Sequence, residues 1–433
     1  LLLFIFLLIF GTPIVFSLGV AASFTLVAYD VPLALVAQKI YGGLDKFTIM
    51  AIPFFILTGI IMEKGGIAKR IIDFATALVG WITGSLYLVA VVAGTGLAAI
   101  SGSGSADTAA MSSIMLPQMK KRNYNIDFSA AIMACSGSLG TIIPPSVVVV
   151  VLGPIADVSI GDLMVGMLIP GLILALLYIV YIFFLCLIKP ENGPRIDAED
   201  EISKLTLNQK LLITVKALIP PLLMIFAVLG SIMLGWAAPT EAAALGAAGS
   251  IILSLFYKKL NWETFKGALI KTITVTSMIM FILMAGTMFT GVFAASGGMS
   301  VMKNVVESLN LAPWLLLLTF LLVIFVAGFF LEWISILLIF IPVFIPIVNS
   351  LGYDPVWFCV LVLIMIQTSY LTPPMAPAIF YLRGVAPKEI TLISMYRGVI
   401  PFVIIQIIAL GIVSYYPETV LWLPDKLLGF EGQ

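Results

Sequence analysis

The sequence predicts an all-α polytopic membrane protein made of inverted repeats, each holding one re-entrant helical hairpin. Three observations carry that fold class. Of the 433 residues, 61% are hydrophobic and 10% charged, with mean hydropathy +1.18, where soluble domains carry about 25% charge. Residues 82–118 and 312–349 stay apolar for far longer than one crossing needs, with no charged loop between. About 20 helical residues cross ~30 Å of hydrocarbon, so each stretch reads as two half-length helices that enter and return on one side. The third observation is the division of charge between loops, set out below.

Taken in chain order, residues 1–28 open on Leu-Leu-Leu-Phe-Ile-Phe with no Met, so the native start is expected to be missing or processed. The stretch is too long for a signal peptide and lacks a small-residue cleavage site, so it is read as a first span. Residues 47–62 are the second span, 82–118 the first hairpin, and 128–155 and 163–188 two more spans. After a hydrophilic loop, 189–210, come spans 211–235, 242–257 and 272–295, the second hairpin at 312–349, and spans 356–382 and 393–415. This gives a first repeat over 1–188, a cytoplasmic loop and connecting span over 189–241, a second repeat over 242–418, and an external tail over 419–433.

Taking both long stretches as re-entrant places sixteen Lys and Arg side chains, from Lys64 to Lys388, on one side, with Lys39, Lys46, Lys303 and Lys426 opposite. The positive-inside rule makes the first side cytoplasmic and sends the C-terminus outside, the N-terminus being cytoplasmic. The first hairpin then has its base at the cytoplasm and the second enters from outside. Internal similarity agrees. Thr58-Gly59 and Gly65-Gly66 match Thr290-Gly291 and Gly297-Gly298 at a shift of 232, and Pro144-Pro145 matches Pro373-Pro374 at a shift of 229. Four crossings per repeat return the chain to its starting side, so the span 211–235 is what inverts the second repeat.

Several classes are excluded or weakened. Zero net charge gives no reason to expect nucleic acid. The absence of His removes His-based metal sites and triads, and no phosphate-binding G-x-x-x-x-G-K-[ST] loop occurs, so catalysis or ATP hydrolysis by this chain is not expected. Cys135, Cys186 and Cys359 stand alone in apolar surroundings and read as packing residues.

The chemistry should lie at the two double prolines. Pro144-Pro145 follows Ser136-Gly137-Ser138-Leu139-Gly140-Thr141, and Pro373-Pro374 follows Gln367-Thr368-Ser369 and Thr372. Two successive residues without N–H unwind a helix and free the carbonyls upstream. Those carbonyls and small hydroxyls are hard oxygen ligands for sodium, while the positive ends of half-helices face an anion. A pair of packed proline kinks is the plainer alternative. Intramembrane acids are costly and usually functional. Asp107, beside the first tip, either caps the returning half-helix or coordinates an ion. Glu332 is expected to hold the second tip in shape, and Glu241, after Pro239-Thr240, to sit at a helix N-terminus.

Pro239-Thr240-Glu241-Ala242-Ala243-Ala244, the run Ser-Gly-Ser-Gly-Ser-Ala-Asp-Thr-Ala-Ala-Met from Ser101 to Met111, Gly140-Thr141-Ile142-Ile143-Pro144-Pro145-Ser146 and Thr372-Pro373-Pro374 together resemble the large membrane subunit of tripartite ATP-independent periplasmic (TRAP) transporters, over essentially the whole chain. The resemblance implies a multi-pass protein of a bacterial or archaeal inner membrane. It implies an elevator, in which a transport domain holding both hairpins slides against a scaffold and carries an organic acid inward with sodium. It also implies a small four-helix membrane subunit, separate from this chain or removed from it, and a periplasmic solute-binding protein. One sodium site would use Ser103, Ser105, Gly137, Thr141 and Pro144, and a second Gly328, Thr368 and Thr372. Substrate would meet Ser101, Ser103, Ser138, Ser335 and Thr372 between the tips. Asp107, Pro145, Glu241, Glu332, Pro373 and Pro374 would shape or couple these sites. C4-dicarboxylates, sialic acid and other sugar acids all suit this scheme. A free-standing sodium/dicarboxylate symporter, a channel and a purely structural membrane partner are the competing readings.

Overall fold

A computed structural model describes residues 2–79, 82–194, 219–220, 222–309, 311–374, 376–386 and 390–429. Most of the hydrophilic loop 189–210, the start of the connecting span at 211, Lys388 and the last four residues of the tail lie outside the described residues. The described chain is helical, with no strand among the described residues.

Its helices are α1 (Leu2–Ile9), α2 (Ile14–Ala28), α3 (Leu33–Leu44), α4 (Ala51–Lys64), α5 (Ile67–Val79), α6 (Ser85–Ser101), α7 (Gly104–Lys121), α8 (Ile126–Ser138), α9 (Val147–Ala156), α10 (Ile160–Gly166) and α11 (Leu168–Ile188). After α12 (Leu222–Met233) follow α13 (Pro239–Phe256), α14 (Trp262–Ala295), α15 (Gly298–Leu309), α16 (Pro313–Ala327), α17 (Trp333–Ser350), α18 (Pro355–Leu371), α19 (Pro377–Val385), α20 (Leu392–Tyr415) and α21 (Glu418–Leu427). The stretches read as hairpins each hold a pair of helices joined by a short turn, α6–α7 and α16–α17. Both expected broken spans are present, as α8–α9 and α18–α19.

Three expectations need correction. The single span over 1–28 is two helices, because Gly11 takes φ +77° and Pro13, lacking an N–H, caps a new helix. The span expected at 272–295 begins at Trp262, capped by Asn261 Oδ1 accepting from Thr264 N–H at 2.7 Å. Nothing between Asn261 and Ser296 stops the helix, so it runs for 34 residues, about 51 Å, well beyond one hydrocarbon thickness. Two amphipathic helices, α5 and α15, occupy stretches that hydropathy left unassigned. In α5 the buried residues Ala68, Ile71, Ile72 and Ala75 fall at helical spacing, while Arg70 lays its guanidinium over the Tyr257 ring at 3.8 Å.

Lipid offers little hydrophobic drive between helices, so small residues decide which ones pack closely. On α13, Ala242, Gly246, Ser250 and Ser254 recur every fourth residue on its buried face, and this ridge lies against α4. A Cβ at Gly246 would stand 3.3 Å from Thr58 Oγ1. In turn α2 lies along α14, so the first span of each half packs on the second span of the other. The same exchange recurs at the hairpins: α7 packs on α8 and α19, while α16 packs on α18 and α17 on α9.

Aromatic clamps brace each hairpin away from its tip. At the base of the first hairpin, Tyr87 OH donates to Asn192 O at 2.7 Å and Tyr124 OH to Pro194 O at 2.6 Å, and the two rings meet edge-on at 4.8 Å. In the second, Phe320 and Phe344 stack at 4.1 Å farther along the pair, near the middle of α16 and α17. Such ring pairs contribute about 0.5–1.5 kcal/mol beyond area burial.

Candidate functional site

The first tip is built by one glycine and one serine. Gly102, at φ +62°, ends α6 in the left-handed region that favours glycine, and the extended Ser103 starts α7. Ser101 Oγ donates to Asp107 Oδ1 at 2.6 Å across the turn and accepts from Ser103 N–H at 3.2 Å. The hydroxyls of Ser103 and Ser105 meet at 3.3 Å. Asp107 is 2% exposed, and its second oxygen, Oδ2, has no hydrogen-bond partner.

The first break is seated on that tip. After Ser138 the chain makes one 3-10 turn, passes the cis Pro144-Pro145 peptide and resumes as α9. Ser146 Oγ donates to Thr141 O at 2.9 Å, and Thr141 Oγ1 to Ser138 O at 2.8 Å. Val147 N–H donates to Gly102 O at 3.2 Å, a backbone bond joining break to tip. A Cβ at Gly140 would stand 2.6 Å from Asp107 Oδ2 and 2.9 Å from Gly104 N, so only a glycine lets the break come this close. Ser101, Ser103, Asp107, Gly137, Thr141 and Pro145 are therefore gathered into one cluster, with Pro144 in the same buried loop. Ser105 joins it through Ser103.

The second unit has the same plan with different exposure. Gly328 ends α16 against the side chain of Ser369, one turn before the break. Thr368 Oγ1 donates to Ile364 O at 2.8 Å, Thr372 Oγ1 to Thr368 O at 2.8 Å, and Thr372 N–H to Ser369 O at 3.0 Å. Pro373-Pro374 is also cis, but these prolines are exposed where Pro144 and Pro145 are buried. Gly328, Thr368 and Thr372 thus come together around Ser369. Glu332 precedes α17 without a side-chain cap bond and lies within electrostatic reach of Tyr370 and Tyr381. Ser335 is fully buried in α17, and its hydroxyl has no hydrogen-bond partner.

One residue that the sequence reading left out of the site joins the two units. Gln367 Nε2 donates to Ser138 Oγ at 3.3 Å, both residues are fully buried, and Gln367 Oε1 has no partner. Ser138 and Gln367 are 229 positions apart, the shift that relates the double prolines, and that shift was the signal available in the sequence. Glu241, by contrast, lies apart from the cluster. Its Oε2 accepts from Ala238 N–H at 2.9 Å, the helix-start role expected of it.

Chemically, the first cluster offers carboxylate, hydroxyl and carbonyl oxygen. Among the described residues no three His, Cys, Asp or Glu side chains form a metal-binding group. Such a set suits a monovalent hard cation held by unwound backbone better than a transition metal.

The family model for "Tripartite ATP-independent periplasmic transporter, DctM component" matches residues 1–419. The chain is 31% identical to the sialic acid TRAP transporter large permease protein SiaM of Vibrio cholerae, covering 98% of this chain and 97% of the relative. It is 35% identical to the C4-dicarboxylate TRAP transporter large permease protein DctM of Pseudomonas aeruginosa, over 95% and 94% of the two chains. The fold is similar to that of the Alcanivorax borkumensis YdaH transporter, at TM-score 0.65 and 12% identity over 92% of this chain and 89% of that one.

Proposed function

Because this chain belongs to the DctM family of tripartite ATP-independent periplasmic transporters, we propose that it is the membrane-embedded component of a sodium-coupled importer of organic acids. Its relatives are named permeases, so the chain is a multi-pass transporter component and not an enzyme. The two relatives are named for sialic acid and C4-dicarboxylates, both carboxylates at neutral pH, and the solute here is of that class. Its partners are a small four-helix membrane subunit and a periplasmic solute-binding protein, in the inner membrane.

The observation that carries the reading is the seating of each helix break on a hairpin tip, with the free oxygen of Asp107 at the first. A cation between Ser103, Ser105, Gly137, Thr141 and Pro144 neutralises that oxygen and uses carbonyls that a proline break leaves without donors. The second sodium takes its ligands at Gly328, Thr368 and Thr372. The solute lies between the tips, touching Ser101, Ser103, Ser138, Ser335 and Thr372.

The exchanged packing of α2 on α14 and α13 on α4 supports inverted repeats over 1–188 and 242–418, joined through 189–241. In an elevator, α2–α4 and α12–α14 form the scaffold, and the hairpins with the broken helices move. The charge division supports a cytoplasmic base for the first hairpin and an external tail 419–433. The test is uptake of labelled succinate and sialic acid into vesicles holding the complete assembly, under an inward sodium gradient. Uptake of one of them that stops when potassium replaces sodium is expected; uptake indifferent to that exchange rejects the coupling.

A further inference from the structure

A cleft of about 590 Å³, within the size range of small-ligand pockets, opens between α3 and α14 on one wall and α9 and α17 on the other. Its polar lining is Gln38, Lys39, Lys46, Thr287 and Thr290, with no acidic residue among the lining side chains. The walls are drawn in closely. A Cβ at Gly43 would stand 2.6 Å from Thr287 Cγ2, and one at Gly291 2.9 Å from Lys39 Cγ, so α3 lies directly on α14 and the stem of Lys39 is held along it.

The two lysines differ in what they bind. Lys46 Nζ donates to Pro154 O at 2.6 Å, in the last turn of α9, where the helix end favours a cation. The exposed Lys39 makes no ion pair or hydrogen bond with a described residue. Asp45, next to Lys46 in sequence, donates its N–H to Tyr41 O at 2.8 Å and does not line the cleft. An adjoining crevice shares Lys46 but carries Asp157 and Asp162, so the positive potential belongs to one of the two openings. The cleft reaches inward to Leu338 and Val150, about one helical turn short of Ser335 and Ser146.

We propose that this cleft is an anion-collecting vestibule, in which Lys39 and Lys46 concentrate small carboxylates or sulfonates above the hairpin tips before they are bound. A cleft lined by one sign of charge raises the local concentration of the opposite ion. The proposal deepens the transport reading and rests on it for the direction of approach. The inference about charge stands by itself.

The test replaces Gln38 by Cys, since the native Cys135, Cys186 and Cys359 are buried. Right-side-out vesicles bearing the chain and its small partner are treated with anionic sulfonatoethyl or cationic trimethylammonioethyl methanethiosulfonate. The ratio of the two modification rates reads the local potential, because any change in ionisation of the new thiol affects both reagents alike. The anionic reagent is expected to react faster. Adding Lys39→Gln and Lys46→Gln should lower the ratio by about tenfold at low ionic strength, and ~1 M salt should erase most of the difference. Lys39→Arg with Lys46→Arg should retain the ratio, which separates charge from misfolding. A ratio unmoved by the Gln pair, or modification from the inner face alone, overturns the proposal. Charge selectivity retained in vesicles that take up no organic acid would uphold the anion-collecting cleft while rejecting the transport function.

Discussion

Asp107 is held at one oxygen and free at the other, Ser101 satisfying Oδ1 while Oδ2 stays buried without a donor. A buried carboxylate costs several kcal/mol unless its charge is met, and in the proposed ion site the bound cation meets it. Asp107→Asn keeps the acceptor for Ser101 but removes the charge, so the turn survives and the ion site weakens. The sodium concentration for half-maximal uptake should rise about tenfold, equivalent to 1.4 kcal/mol of binding, with the protein still at normal levels in the membrane. An unchanged sodium dependence would leave Asp107 a role in the turn alone. Asp107 was legible in the sequence because an acid in an apolar run is conspicuous. Gln367 was not, since a neutral amide raises no such flag and its meaning appears only once Ser138 is seen opposite it.

The broken helices are where element and chemistry coincide. Pro144 has no N–H to offer Gly140 O, and Pro374 none for Tyr370 O, so each break leaves acceptors that an unbroken helix would consume. Replacing either pair by Ala-Ala restores the donors, and the chain should still insert, because added helix satisfies its own backbone in a bilayer. Sodium-dependent uptake should fall at least tenfold in each double variant; retention of normal uptake and sodium dependence would reduce the breaks to packing kinks. Hairpins and breaks were legible because length, glycine and proline are strong local signals. The helices α5 and α15 were not, because mean hydropathy passes over a short helix whose apolar residues occupy one face. Both follow a glycine at positive φ, Gly66 at +75° and Gly297 at +82°, and that pair of Gly-Gly steps was visible without its helices being recognised. The break in 1–28 was overlooked for the opposite reason, since high hydropathy on both sides of Pro13 masked it.

Across the whole molecule the halves hold each other, α2 on α14 and α13 on α4, so neither half is complete alone. That exchange was legible only in outline: loop charge and the shifts of 229 and 232 pointed to two related halves, but which helices pair depends on small-residue ridges such as Ala242 to Ser254 that match no simple pattern. The segments assigned to the outer face are short. They hold α3, the amphipathic α15, the turn between α9 and α10, and α21 with its tail. Among the described residues they include no compact unit large enough to enclose a solute by itself, although they offer a surface of helices. On the proposed tripartite reading, selection and capture of dilute solute fall to another protein that docks on this face, and the proposed vestibule with Lys39 and Lys46 receives what is released. The chain with its small subunit, reconstituted under an inward sodium gradient, should therefore take up negligible free solute. Adding the binding protein at the outer face should raise uptake by at least tenfold, the gain saturating as that face fills. Strong uptake of free solute without it would reject the tripartite reading and favour a free-standing symporter of the same fold.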